Sequence, residues 1–445
     1  MLKSLLFVAC PSSRGLFRFP ASFVVSSRCF FPCRGSSLPS ADASALPFCV
    51  KAKRFLVVMA SHGLQSASPA APPATALPGR ANEQGTASYA QQFAPVVGPG
   101  HFRKLATYND HAGHLTVSSL GLGTYLGPET DLADHEYEAS ICKALSVGIN
   151  VFDAAINYRN MRSERAIGRA IFSAVSSGMI QRNQFVVCTK GGYFTFDVNR
   201  PPNPRKWIED VYIQPGIFSW ADFVAGCHCM TPSYILDQLD KSRKNLGLET
   251  VDVYYVHNPE TQLSEISREE FNARIKKAFS ALEEAVSANK ITVYGVATWN
   301  GFRVSPQSKA HLSLEDLVDA AREVGGAAHH FRVVQVPFNL SLQEAASATT
   351  QVINGRSMSL IAASKELGVT VVASASLMQA SLAKGLPEDF RRAFSEGGQV
   401  PTDAQCALQF VRTTPGIMTA LAGMRQVDHV QENARVISFS AISAS

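Results

Sequence analysis

Four residues have types and positions that could do chemistry together: Asp153, Tyr158, Lys190 and His257. Asp153 ends the mostly apolar run Ile149-Asn150-Val151-Phe152, and Tyr158 stands five residues later in VFDAAINYRNMRSE. Lys190 closes the run FVVCTK, and His257 closes VYYVH. A lysine buried beside a tyrosine favours phenolate and lowers the tyrosine pKa. An aspartate beside that lysine keeps it charged and aimed. A tyrosine tuned toward neutral pH can give its proton to a carbonyl oxygen as a hydride reaches the carbon, and take it back in reverse. A histidine can donate the hydrogen bond that orients the carbonyl. Each residue alone has a plainer reading. Tyr158 would be a packed loop residue, His257 a satisfied rim histidine, Asp153 a helix cap and Lys190 a solvated strand end. Their recurrence at successive strand ends favours the chemical reading.

The elements that must position them follow from hydrophobic periodicity. Short apolar or β-branched runs at 115–125, 149–154, 185–189, 251–256, 291–297, 332–338, 369–373 and 417–421 predict strands. Helix-period patterns lie between and after them, at 135–147, 163–175 (capped by Ser163), 232–246, 268–288, 313–324, 358–367, 402–412 and 427–436. Gly247, Gly325 and Gly368 stand where helix C-termini call for glycine. Strands joined by helical crossovers must be parallel. Eight such units predict a closed (β/α)8 TIM barrel, an α/β fold whose active site lies at the strand C-terminal ends.

The chain has 445 residues, 46% hydrophobic and 17% charged, an ordinary composition for a well-cored protein. The first hundred positions hold only two acids, Asp42 and Glu83, among many serines and basic residues. That composition predicts an organelle transit peptide over 1–60, for plastid or mitochondrion, with Met59 as a start for a cytosolic form. The run 61–99 reads as a disordered linker, and 100–440 as the catalytic domain. The formal charge of +5 arises mostly in the leader. No basic stripe with interleaved aromatics points to nucleic acid, and no run is long enough to cross a membrane. Nine scattered cysteines suggest a reducing compartment rather than a disulfide scaffold. Cys227-His228-Cys229 lacks a second pair at metal-ligand spacing and reads as a loop, so no metal is expected.

The stretches LGLGTYLG, INVFDAAINYRNMRSERAIGRAI, FVVCTKGG, LDKSRKNLGLETVDVYYVHNPE, YGVATWNGF, VVQVPFNL and LAGMRQVDHVQEN are similar to those of aldo-keto reductases. The resemblance covers about residues 100–436. It implies a (β/α)8 barrel that reduces small-molecule aldehydes and ketones with NADPH, with NADH as the competing cofactor. It implies Tyr158 as general acid/base, Lys190 and Asp153 as its tuning pair, and His257 as the substrate-positioning residue. For the cofactor it implies Thr124, Tyr125 and Asp153 near the first strands, Thr298 after strand five and Gln335 on strand six. At the last strand and helix it implies Gly423, Met424, Arg425, Glu432 and Asn433. Departures from the family pattern are also visible. The usual Ser-Asn pair is Ala297-Thr298, and an expected aromatic aligns with Ser374, which leaves Trp299 or Tyr125 to stack on the nicotinamide. Arg425 is the remaining charge for a 2′-phosphate. An aromatic-rich insertion, 193–230, reads as a lid or pocket wall, or else as a surface embellishment or oligomer contact. A nicotinamide-binding regulatory or redox-sensing protein with little turnover is the alternative function. The oligomeric state is left open.

Overall fold

The computed structural model describes residues 71–73, 75–106, 114–394 and 401–439. Eight strands close into a parallel barrel in chain order: Leu120–Gly123, Val151–Asp153, Val186–Gly191, Val251–His257, Ile291–Ala297, Phe331–Pro337, Thr370–Ser374 and Ile417–Gly423. The last pairs back to the first, Gly423 opposite Gly123. Helices Asp131–Leu145, Arg162–Ser176, Pro232–Leu246, Arg268–Ser287, Leu314–Gly325, Leu360–Glu366 and Asp403–Thr413 form the crossovers, and Val427–Asn433 follows the last strand. Thr130, Ser267, Ser313, Ser359 and Thr402 each start a helix by accepting a backbone N–H from its first turn. The (β/α)8 expectation holds.

Period-two alternation decides what faces the barrel interior. Val151, Val186, Cys188, Val253, Tyr255, Val293, Ala297 and Val333 pack together inside. Continuing each series by two residues carries Asp153, Lys190, His257 and Gln335 inward at the upper rim. The register levels these ends: Asp153 pairs with Cys188, Lys190 with Tyr255, His257 with Ala297, and Ala297 with Gln335.

Four sequence expectations need correction. The linker reading of 61–99 fails over its described part. Helix Glu83–Phe93 lies against the barrel floor, Leu77 bridges to Leu248, and the Ala81 N–H donates to Asp252 at 2.8 Å. The Tyr89 hydroxyl donates to the Leu145 carbonyl at 2.7 Å, and its ring is buried. A segment with few apolar residues cannot build its own core, but it can fold onto one already formed. The folded body therefore starts well before residue 100. Second, 115–125 is two strands. His114–Ser118 pairs antiparallel with Phe102–Ala106 as a hairpin, and only Leu120–Gly123 joins the barrel. Third, Ser163 does not cap its helix. The N-cap is Met161, in a left-handed conformation, and the Ser163 hydroxyl donates to the Thr124 carbonyl at 2.7 Å. Fourth, the helix after strand five runs through Gly325, and Gly326, at φ +67°, is its C-cap. The leader expected over 1–60 lies outside the described residues.

The insertion is ordered. Tyr212, Phe218 and Tyr234 form a small buried core with Ile208 and Cys229, edged by Phe194, Trp207 and Phe223. Tyr234 belongs to helix Pro232–Leu246, and Lys241 of the same helix sits 4.4 Å from the Tyr212 ring centroid. Aromatic burial against an existing helix thus gives the insertion its fold.

Candidate active site

Asp153 and Lys190 meet inside the rim. The Lys190 Nζ donates to Asp153 Oδ2 at 2.6 Å and to the Ala154 carbonyl at 2.7 Å, with Lys190 fully buried. The second carboxylate oxygen, Oδ1, accepts from the Gln335 amide at 2.8 Å. The same ammonium lies 4.8 Å from the Tyr158 ring centroid. Burial works against the Lys190 charge, but Asp153 and Tyr158 together raise its pKa above the ordinary lysine value.

Tyr158 is the most open of the four, half-buried in the turn after strand two. Arg159, Asn160 and Met161 all have positive φ, between 49° and 70°. Left-handed backbone at non-glycine positions costs roughly 1–3 kcal/mol each and persists only where surroundings enforce it. Here Arg159 is clamped by the buried Asp134 and by the Pro128 carbonyl, and the Ile156 N–H donates to the Lys190 carbonyl at 3.2 Å. The turn therefore holds Tyr158 over the strand ends. Burial raises the Tyr158 pKa, and the Lys190 charge pulls it only partly back. The expectation of a hydroxyl tuned toward neutrality is thus corrected. The lysine acts with the expected sign, but loss of hydration outweighs it, and the group holds its proton.

His257 stands between two tyrosine rings, with centroids 5.8 Å from Tyr158 and 5.1 Å from Tyr193, both edge-on. Burial, then Lys190 and His228, hold its pKa well below the ordinary histidine value. It is a neutral imidazole that can donate one hydrogen bond. Tyr125, about half exposed, places its ring 5.0 Å from that of Tyr158. Trp299 is also exposed at 39%.

The expected cofactor residues divide into two groups. Some spend their polar atoms on the protein. The Thr124 hydroxyl donates to the Asp153 carbonyl at 3.0 Å. The Thr298 hydroxyl donates to Glu260 at 2.5 Å and accepts from the Gly301 N–H at 2.8 Å. The Gln335 amide nitrogen is taken by Asp153. Glu432 accepts from the Thr402 hydroxyl at 2.8 Å, and Met424 is buried. Others remain available. Gly423 is exposed at the end of the last strand. Arg425 is partly exposed, with Nε 3.1 Å from Glu136. Asn433 is buried and its Oδ1 has no partner. A buried, unpaired amide oxygen is costly without a partner. This one suits a ligand amino group, which is the fit a purine ring at the last helix would make.

Sequence reasoning missed His228. It is buried, its Nε2 is 2.8 Å from the His257 carbonyl, and its Nδ1 is 2.9 Å from the Gln262 amide nitrogen. Both ring nitrogens are thereby engaged. Among the described residues no His, Cys, Asp or Glu group of three or more is placed to hold a metal ion. No helix among them is long and apolar enough to cross a membrane.

The barrel and this rim define a class, and the comparisons agree. The family model described as "Aldo/keto reductase family" matches residues 119–445, and the chain belongs to that family. It is similar to a putative voltage-gated potassium channel subunit beta of Schizosaccharomyces pombe, 23% identical over 73% of this chain and 86% of that protein. It is also similar to mouse aldo-keto reductase family 1 member C13, 27% identical over 42% of this chain and 49% of the relative. A D-threo-aldose 1-dehydrogenase from a Pseudomonas species is 26% identical over 38% of this chain and 45% of its own. Among solved structures, an aldo/keto reductase of Klebsiella pneumoniae in complex with NADP and acetate has a TM-score of 0.50 at 19% identity, covering 77% of this chain and 92% of its own. That likeness concerns the fold.

Proposed function

We propose that the protein is an NADPH-dependent oxidoreductase that reduces aldehyde or ketone carbonyls to alcohols. One observation carries the reading: a buried Lys190–Asp153 pair beneath the Tyr158 ring, with the His257 ring beside it. The carbonyl oxygen of a substrate sits between the Tyr158 hydroxyl and the His257 ring. His257 orients it by a hydrogen bond. Bound at the rim, NADPH supplies the hydride. As negative charge grows on the oxygen, Tyr158 releases its proton to it, and the nearby Lys190 ammonium stabilises the phenolate left behind. One carbonyl, one hydride and one proton make one alcohol. Asp153 keeps the lysine charged and fixed, and Gln335 in turn fixes Asp153.

Gly423, Arg425 and Asn433 are the residues that would hold the nucleotide. The NADP named in the Klebsiella structure supports this cofactor class. The regulatory alternative draws on the potassium-channel relative, whose match spans most of that protein. A fluorescence titration of the chain from residue 71 with NADPH and NADH separately, followed by a carbonyl screen, tests the proposal. Quenching by NADPH together with aldehyde-dependent oxidation is expected. Binding of neither nucleotide would overturn it.

A further inference from the structure

The Cys227-His228-Cys229 motif has a role that the reading above leaves unused. The chain enters the insertion at Tyr193, which pairs antiparallel with His228 near the insertion's end at residue 230. The Phe194 N–H donates to the Cys227 carbonyl at 2.7 Å, and the Cys229 N–H to Gly192 at 3.0 Å. This pairing delivers the His228 ring beneath the end of strand four. A carbonyl can only accept, so the His257 carbonyl requires a proton on His228 Nε2. The Nδ1 then carries the lone pair and accepts from the Gln262 amide. The Gln262 Oε1 in turn accepts from Arg274 at 2.8 Å. The relay runs from Arg274 on helix Arg268–Ser287 through Gln262 and His228 to the backbone of His257, and it fixes a single neutral tautomer.

The space around it is made to measure. Gly192 has φ +128°, and a Cβ there would meet His228 Nε2 at 2.8 Å and the His257 carbonyl at 3.2 Å. The Tyr193 ring packs edge-on to both histidines, at 5.3 Å from His228 and 5.1 Å from His257. Its hydroxyl is tied to Thr261 at 3.0 Å and Asn258 at 3.3 Å. We propose that the insertion is a working part of the active site: His228 is a positioning residue that fixes His257 through its backbone carbonyl, and Tyr193 braces the His257 ring. The kinetic side of this proposal rests on the carbonyl-reductase reading above, but its structural side does not.

The test compares His228→Gln with His228→Leu in the full chain. Gln places an N–H donor near the Nε2 position, whereas Leu keeps bulk and removes the donor. Nitrogen-15 spectra of histidine-labelled protein should show His228 as a neutral Nε2–H tautomer. The His257 resonances should move in the Leu variant and stay near wild type in the Gln variant. With 4-nitrobenzaldehyde as probe, His228→Leu should lower kcat about tenfold with the NADPH KM unchanged, and Gln should restore most of it; one hydrogen bond of about 1.4 kcal/mol corresponds to that factor. Unshifted His257 resonances in a folded Leu variant would overturn the proposal. If the wild type reduces no carbonyl, the functional reading fails and the spectra still decide this one.

Discussion

The barrel holds a buried carboxylate–cation pair at each end. At the mouth, Asp153 meets Lys190 at 2.6 Å; at the floor, Asp252 meets Arg182 at 2.8 Å. Asp252 is saturated with donors, since the Ala81 and Val187 N–H groups each reach it at 2.8 Å. Arg182 gives its remaining bonds to the Phe185 and Thr250 carbonyls. The pair's further hydrogen bonds named here run to backbone, and through Ala81 it stitches the N-terminal segment to the barrel. The mouth pair also reaches backbone at the Ala154 carbonyl, but its ammonium lies 4.8 Å from the ring centroid of Tyr158, the proposed acid. Burial of an ion pair is therefore no sign of function by itself. What the pair touches next decides whether it ties chain or tunes chemistry.

The sharpest way to break this contrast is at the tyrosine. Tyr158→Phe should lower kcat for carbonyl reduction by about a thousandfold, within the range general acid catalysis spans. Thermal stability and NADPH binding should stay near wild type. Retained turnover would end the assignment of Tyr158 as the acid. A lost turnover with an unchanged cellular phenotype would favour the regulatory alternative.

The floor should show the reverse. Asp252→Ala strands a buried guanidinium and frees two backbone donors, which should cost about 3–5 kcal/mol of stability. Urea unfolding measures it, and activity per folded molecule should be retained at low denaturant. A variant of wild-type stability would mean that the floor pair ties nothing. Removal of residues 71–93 should act in the same direction, because Ala81 and Tyr89 leave with it.

The two ends also differ in how far the sequence reveals them. Asp153, Lys190 and His257 each close a run whose alternate residues face inward, so type and period-two position alone place them on one rim. Tyr158 follows from its fixed distance beyond Asp153. The floor segment is opaque because its few apolar residues bury against a distant surface, and local composition carries no trace of that. The same holds for the engaged hydroxyls of Thr124 and Thr298: their residue types allow cofactor contact, but backbone geometry assigns them to the Asp153 carbonyl and to Glu260. His228 gave a signal, its Cys-His-Cys setting, but without a second ligand pair that setting reads only as a loop. Only the pairing of Tyr193 with His228 shows its link to His257.

The smallest expected effect concerns proton affinity at the mouth. Burial raises the Tyr158 pKa, and Lys190 is the largest influence pulling it down. In the proposed mechanism, reduction uses the protonated phenol, which is present below that pKa and lost as pH rises through it. The kcat for reduction should therefore be level through neutral pH and fall only on the alkaline side, above the ordinary tyrosine value of about 10. Lys190 is itself raised, so it stays cationic through the level region, and the falling limb belongs to the coupled pair rather than to one residue. Lys190→Met removes the downward pull, so its limb should lie at still higher pH, on a lower rate. A wild-type limb near neutrality would mean that the lysine charge outweighs burial, as the residue types alone suggested. It would also make the mouth pair a stronger tuning device than its geometry indicates.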